Sequence, residues 1–271
     1  MEKKEQLKGI VQAVAATFVS IFIYHNGLHG LAGLDLNDFA ASFLCEAVFA
    51  LLAFLSVILL KKQEIYRCDM ELLKKNWTCA GFFAVYIIII LGFALAARIE
   101  ITITPIEVLL FLGHIFLVGF AEETFFRGLI QTAFHQYFGE DTKAHVVMAI
   151  VCSGAVFGMA HILNASNGLS FPAASTQALG NVFTGMFICA IYFRTGKNIW
   201  FMIFLHALYD GIAMIINGRL SGASLHDLLS NAENVGTGGI LALCAVYLIV
   251  IAVILRDKKV EPLLKKGKEQ A

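Results

Sequence analysis

The chain has 271 residues, 59% of them apolar and 15% charged, with a mean hydropathy of +0.77. Soluble domains run roughly 45–50% apolar and about a quarter charged, so a water-soluble enzyme, a disordered regulator and a disulfide scaffold are excluded; the composition is that of a polytopic membrane protein. Twenty Lys and Arg balance twenty Asp and Glu, which leaves no net field to attract nucleic acid.

A bilayer core of ~30 Å is crossed by about 20 apolar residues, and eight such windows occur, at 10–30, 39–60, 79–97, 107–130, 145–163, 176–193, 198–217 and 236–255. They predict an all-α integral membrane protein of about eight transmembrane helices. Pro105, Pro172 and Pro262 are the only prolines and fall in the predicted loops or tail, so proline interrupts no span. The first window is too long and continuous for a cleaved signal peptide and reads as a retained helix. With the N-terminus in the cytoplasm, seventeen Lys and Arg lie on the cytoplasmic side, only Arg98 and Arg219 lie outside, and Arg127 remains in span four. This positive-inside bias requires an even number of crossings, with both termini cytoplasmic.

No repeat or low-complexity linker divides the chain, so residues 1–255 read as one transmembrane domain and 256–271 as a basic cytoplasmic tail. In the outer loop 217–235, the LHDLL stretch reads as a short interfacial helix. Cys45, Cys68, Cys79, Cys152, Cys189 and Cys244 lack CxxC spacing and read as packing residues.

An ionisable side chain within a span costs at least ~2.5–3.5 kcal/mol on insertion scales and so marks a candidate site. Span four carries Glu107, His114 and the run Glu122-Glu123-Thr124-Phe125-Phe126-Arg127; span five carries Phe157 and His161, and span seven His206 and Asp210. Residues four apart share a helix face. Glu123 and Arg127 therefore pair, Glu122 points about 100° away and is left for chemistry, and Asp210 orients His206 or shares its ligand. In a dry pocket shaped by Phe125, Phe126 and Phe157, the Glu122 carboxylate suits a general base. Two imidazoles can orient a water or stabilise an oxyanion, which completes the equipment for amide hydrolysis.

Other polar residues carry less. His25 and His29, at the outer end of span one, read as interfacial rather than as a metal pair. His114, two turns before Glu122, is a secondary candidate for the same cavity. Ser153-Gly154 with His206 lacks the surrounding pattern of a rhomboid dyad, and the absence of HExxH removes the site-2 metalloprotease signature. Counting ~1.5 Å per residue from the predicted edges puts Glu122 in the cytoplasmic half, His206 near the middle and His161 beyond it. A water-filled cavity open to the cytoplasm would bridge that offset.

Glu122-Glu123-xxx-Arg127, Phe157-xxx-His161 and His206-xxx-Asp210, in that order on separate spans, resemble the three motifs of the CAAX protease and bacteriocin-processing (CPBP/Abi) family of intramembrane endopeptidases, which includes the type II CAAX prenyl proteases. The resemblance covers about residues 107–217, where it places the protease core, and the eight-span layout. One departure is Asp210, where the family usually carries Asn. The resemblance implies a peptidase that cleaves a peptide bond of a membrane-associated peptide or protein near the membrane face, in CAAX-type or bacteriocin and signal-peptide processing. By the same resemblance Glu122 activates water, Glu123 and Arg127 support the site, His161 and His206 position the water or stabilise the oxyanion, and Asp210 holds the oxyanion or a histidine.

The family is described both as zinc-dependent and as glutamate-dependent, so the resemblance leaves the cofactor open between Zn2+, held by Glu122, His161 and His206, and none. The expected partners are the lipid bilayer and a membrane-associated substrate, and the expected location is the bacterial cytoplasmic membrane. The alternative functions are a non-proteolytic regulatory or immunity membrane protein of the same fold, and a proton-coupled transporter using the polar residues as a relay.

Overall fold

The computed structural model describes residues 3–31, 36–96, 100–167, 169–224, 228 and 237–264. The side chains of His29 and Arg98, most of the LHDLL stretch and the tail beyond 264 lie outside the described residues. The helices are α1 Lys3–Leu31, α2 Asp38–Leu59, α3 Met70–Asn76, α4 Gly81–Ala96, α5 Pro105–Glu123, α6 Thr132–Phe138, α7 Lys143–Ala160, α8 Phe171–Arg194, α9 Ile199–Ile216, α10 Thr237–Ile254 and α11 Asp257–Val260. Seven stretches are long and apolar enough to cross a membrane; an eighth results if Gly239–Ile254 and Asp257–Leu263, bent by 61° at their break, form one span. No strand occurs among the described residues.

Short polar side chains start the helices. Asn37, Thr104, Thr142, Ser170 and Asn198 each accept the N–H of the residue three positions on, satisfying one of the donors that a helix N-terminus leaves open. Thr104 and Glu107 complete a capping box, so Glu107, counted from sequence among the intramembrane polar residues, caps a helix. Two prolines also depart from the expectation of loops: Pro105 and Pro172 sit in the first turns of α5 and α8, where the missing N–H costs no helical hydrogen bond.

Span four differs most from its prediction. Between α5 and α6 the chain forms a π-helical segment, Thr124–Gln131, in which all eight residues are buried. The continuous stretch therefore runs from Pro105 to Phe138, not to 130. Its beginning lies beside that of α2, where Asn37 donates to Glu107 at 3.4 Å. Farther along, Ile65, just beyond α2, sits where a Cβ on Gly128 would stand, 2.6 Å away. The two helices are therefore parallel neighbours.

Small residues let other pairs approach closely. A Cβ on Gly119 would lie 2.8 Å from the Ile203 carbonyl oxygen of α9, and one on Gly158 would lie 2.6 Å from the Ala178 carbonyl oxygen of α8. The first contact matters most, because it presses the helix carrying Glu122 and Glu123 against the helix carrying His206.

The connections collect at two ends. At one, Lys143 pairs with Asp257 at 2.8 Å, Lys3 donates to the Tyr137 carbonyl at 2.6 Å, and Arg194 bonds the Ile254 carbonyl at 2.6 Å and Asn76 at 2.9 Å. At the other, Arg219 pairs with Asp38 and lies 3.7 Å over the Phe39 ring, and Ser221 bonds the Glu100 carbonyl at 2.7 Å. Residues 3 and 257 thus share an end.

Candidate active site

The α5–α9 contact assembles the site. His206 of α9 points one nitrogen, Nδ1, at Glu123 Oε1, 2.6 Å away. Its other nitrogen, Nε2, lies 3.2 Å from Asp210 Oδ2 and 3.6 Å from Glu122 Oε2. Both ring nitrogens face carboxylates, and an imidazole donates at both positions only when it carries both protons.

The neighbouring glutamates occupy different environments. Glu123 is fully buried and is also met by Arg127, whose Nη1 is 3.2 Å away and which is itself fully buried. The guanidinium lies 4.4 Å over the Phe157 ring, a face that attracts cations. Burial of this ion pair requires both partners, because either charge alone would be stranded in an apolar interior. Glu122 and Asp210 each keep 23% of their side-chain surface exposed. One acid, Glu123, thus locks the imidazole from within, while Glu122 and Asp210 face the accessible side.

His161 sits apart from this cluster. It stands where α7 passes into the 3-10 segment His161–Asn167. Its Nδ1 donates to the Phe157 carbonyl at 2.9 Å, and its ring meets the Phe157 ring at 4.7 Å. Phe157 therefore has Arg127 over its ring and His161 at its side, linking the histidine to the site through an aromatic ring. The Zn2+ set of Glu122, His161 and His206 is not gathered: no three His, Cys, Asp or Glu side chains among the described residues are grouped to hold a metal ion.

Other sequence candidates resolve into structural contacts. Ser153 is buried and donates to the Ala149 carbonyl of its own helix at 2.7 Å, which gives no support to a dyad with His206. His25 lies 3.4 Å from the Ser166 hydroxyl, and His114 is buried between helices. Glu46 of α2 and Tyr24 of α1 escaped the sequence reading. Glu46 is 5% exposed, receives the Tyr24 hydroxyl, and lies in electrostatic range of Glu122 and Asp210. An ionisable residue in the middle of span two was the signal that pointed to it.

No curated protein and no solved structure matches the chain. Residues 104–212, the stretch that carries all three motifs, match the family model described as type II CAAX prenyl endopeptidase Rce1-like, so this stretch of the membrane protein is similar to that family.

Proposed function

We propose that this protein is an intramembrane endopeptidase that hydrolyses a peptide bond of a membrane-associated peptide or protein, in CAAX-type or bacteriocin and signal-peptide processing. The observation that carries the reading is the contrast within one cluster. Glu123 is sealed against Arg127 and His206, while Glu122, its neighbour in sequence, stands partly exposed beside the other nitrogen of the same imidazole.

In this reading Glu122 removes a proton from water as the water attacks the carbonyl carbon and then delivers that proton to the leaving amine. One C–N bond is broken and one C–O bond formed. His206, held by Glu123, presents Nε2 toward the developing oxyanion, a preorganised donor of the kind that stabilises such a charge. Asp210 steadies that nitrogen, Arg127 balances Glu123, and His161 acts from the far side of Phe157. The core at 107–217 works within a single transmembrane domain, with both termini cytoplasmic and the bacterial cytoplasmic membrane as its location.

The test is cleavage of prenylated CAAX and membrane-anchored peptides by purified wild-type protein, Glu122→Ala and His206→Ala. Both variants are expected to lose cleavage while remaining folded. Cleavage by both at the wild-type rate refutes the assignment.

A further inference from the structure

Glu46 is buried on the α2 face that packs against α5. The Tyr24 hydroxyl donates to its Oε1. The Tyr24 ring lies 4.8 Å from that of Phe49, and Phe49 lies 5.4 Å from Phe125. Glu46 precedes Phe49 by three residues and Glu122 precedes Phe125 by three, so on parallel helices the Phe49–Phe125 contact sets the two carboxylates at one level. Electrostatic coupling of both Tyr24 and Glu46 to Glu122 agrees with that placement.

The titratable groups facing Glu46 are Tyr24 from α1, Cys45 on α2 itself, Glu122 from α5 and Asp210 from α9. Behind them stand Glu123, Arg127 and His206, with His114 farther along α5. Four carboxylates, Glu46, Glu122, Glu123 and Asp210, therefore answer to two groups able to carry positive charge, Arg127 and His206. In a water-poor interior a surplus carboxylate takes up a proton rather than remain ionised without compensation.

Resting on the proteolytic reading above, we propose that Glu46 is the protonated carboxyl group of this site, a positioning residue whose neutral state, imposed by burial beside Glu122 and Asp210, leaves the field of Arg127 and His206 to Glu122 on the accessible side. Glu46 is the member to carry the proton because it is buried and its hydrogen bond is to a neutral hydroxyl, that of Tyr24. Glu123 meets Arg127 and His206 directly, and Glu122 and Asp210 meet His206 and keep partial exposure. An ionised Glu46 would compete with Glu122 for the field of the two cations. The N-terminal helices, which lie outside the matched stretch 104–212, thereby set the charge of the core.

The experiment is an infrared titration of the full-length protein in liposomes, reading the C=O stretch of protonated carboxyl groups, which requires no turnover. Wild type is expected to show this band at neutral pH, Glu46→Gln to lose it and Glu122→Gln to keep it. Absence of the band from wild type, or its persistence in Glu46→Gln, overturns the proposal. Tyr24→Phe removes only the donor and is expected to shift the band to higher frequency; an unmoved band also overturns it, even if Glu46→Gln does not fold. In cleavage assays the pH–rate profile of Glu46→Gln is expected to lack one step present in wild type, whereas a merely structural residue would scale the profile without changing its shape, and that outcome overturns the positioning role. If wild type cleaves no peptide while the band behaves as expected, the proteolytic reading fails and the protonated Glu46 stands.

Discussion

Where α6 meets the turn between α8 and α9, Glu140 pairs with Lys197 and lies 3.4 Å from His135 Nδ1, and the His135 ring is stacked on Phe193. Midway along the bundle Glu123 pairs with Arg127 and lies 2.6 Å from His206 Nδ1. The two clusters share a motif, a buried carboxylate between a cation and an imidazole. They differ in what stands on the other side of the ring. His135 Nε2 faces the neutral Gln131 amide at 3.3 Å, whereas His206 Nε2 faces two further carboxylates that keep some exposure. A carboxylate between a cation and an imidazole is a way to hold helices together; the same arrangement with surplus, accessible acid is a way to activate water.

That comparison is broken most severely at Arg127. Arg127→Ala strands Glu123 in an apolar interior and is expected to destabilise the fold by about 3–5 kcal/mol, read by denaturant unfolding in detergent. A loss below about 1 kcal/mol would mean that Glu123 is not held by charge.

Asp210→Asn exchanges a charge-assisted hydrogen bond to His206 for a neutral one, a difference of about 1 kcal/mol. Cleavage is expected to change by no more than roughly tenfold, with little change in stability.

Lys197→Ala tests the other cluster. Its side chain is partly exposed, so removal is expected to cost about 1 kcal/mol or less and to leave the cleavage rate unaltered. A large loss of activity would show that the two clusters are not distinct in role.

The smallest effect is expected at the exposed pair Asp141–His145 in the turn before α7. The His145 ring bonded to the Asp141 carboxyl, with backbone N–H groups assisting, holds that carboxyl below its ordinary range. A lowered folded-state value stabilises above the unfolded pKa and is lost as pH falls through the folded one. The unfolding temperature of wild type should therefore exceed that of Asp141→Asn slightly at neutral pH, and the two should converge in acid.

The parts of the site visible in the sequence were those set by local helix geometry. Glu123 and Arg127 are four residues apart and stand 3.2 Å apart, and the rotation between Glu122 and Glu123 separates an exposed acid from a sealed one. Depth was not visible, because it depends on where a span ends. With span four closing at 130, Glu122 fell in the cytoplasmic half; with the π segment extending the stretch to Phe138, Glu122 lies near its midpoint and level with His206, near the middle of Ile199–Ile216. Nothing in the composition of Thr124–Gln131 announces a π turn, which arises where packing rewards a widened helix. His161 kept its offset, being at the end of α7. Glu46 has no charged residue at helical spacing, and its partner Tyr24 is on another helix, where no local pattern leads.

We propose that Glu122 makes the nucleophile. The most direct test follows cleavage of a membrane-anchored peptide in liposomes made up in oxygen-18 water, with wild type beside Glu122→Gln, which preserves the side chain's shape. General-base catalysis contributes about 10²–10⁴ in rate. One labelled oxygen is expected in the new carboxylate from wild type, and a loss of that size in folded Glu122→Gln. Product formed by Glu122→Gln at the wild-type rate would contradict it.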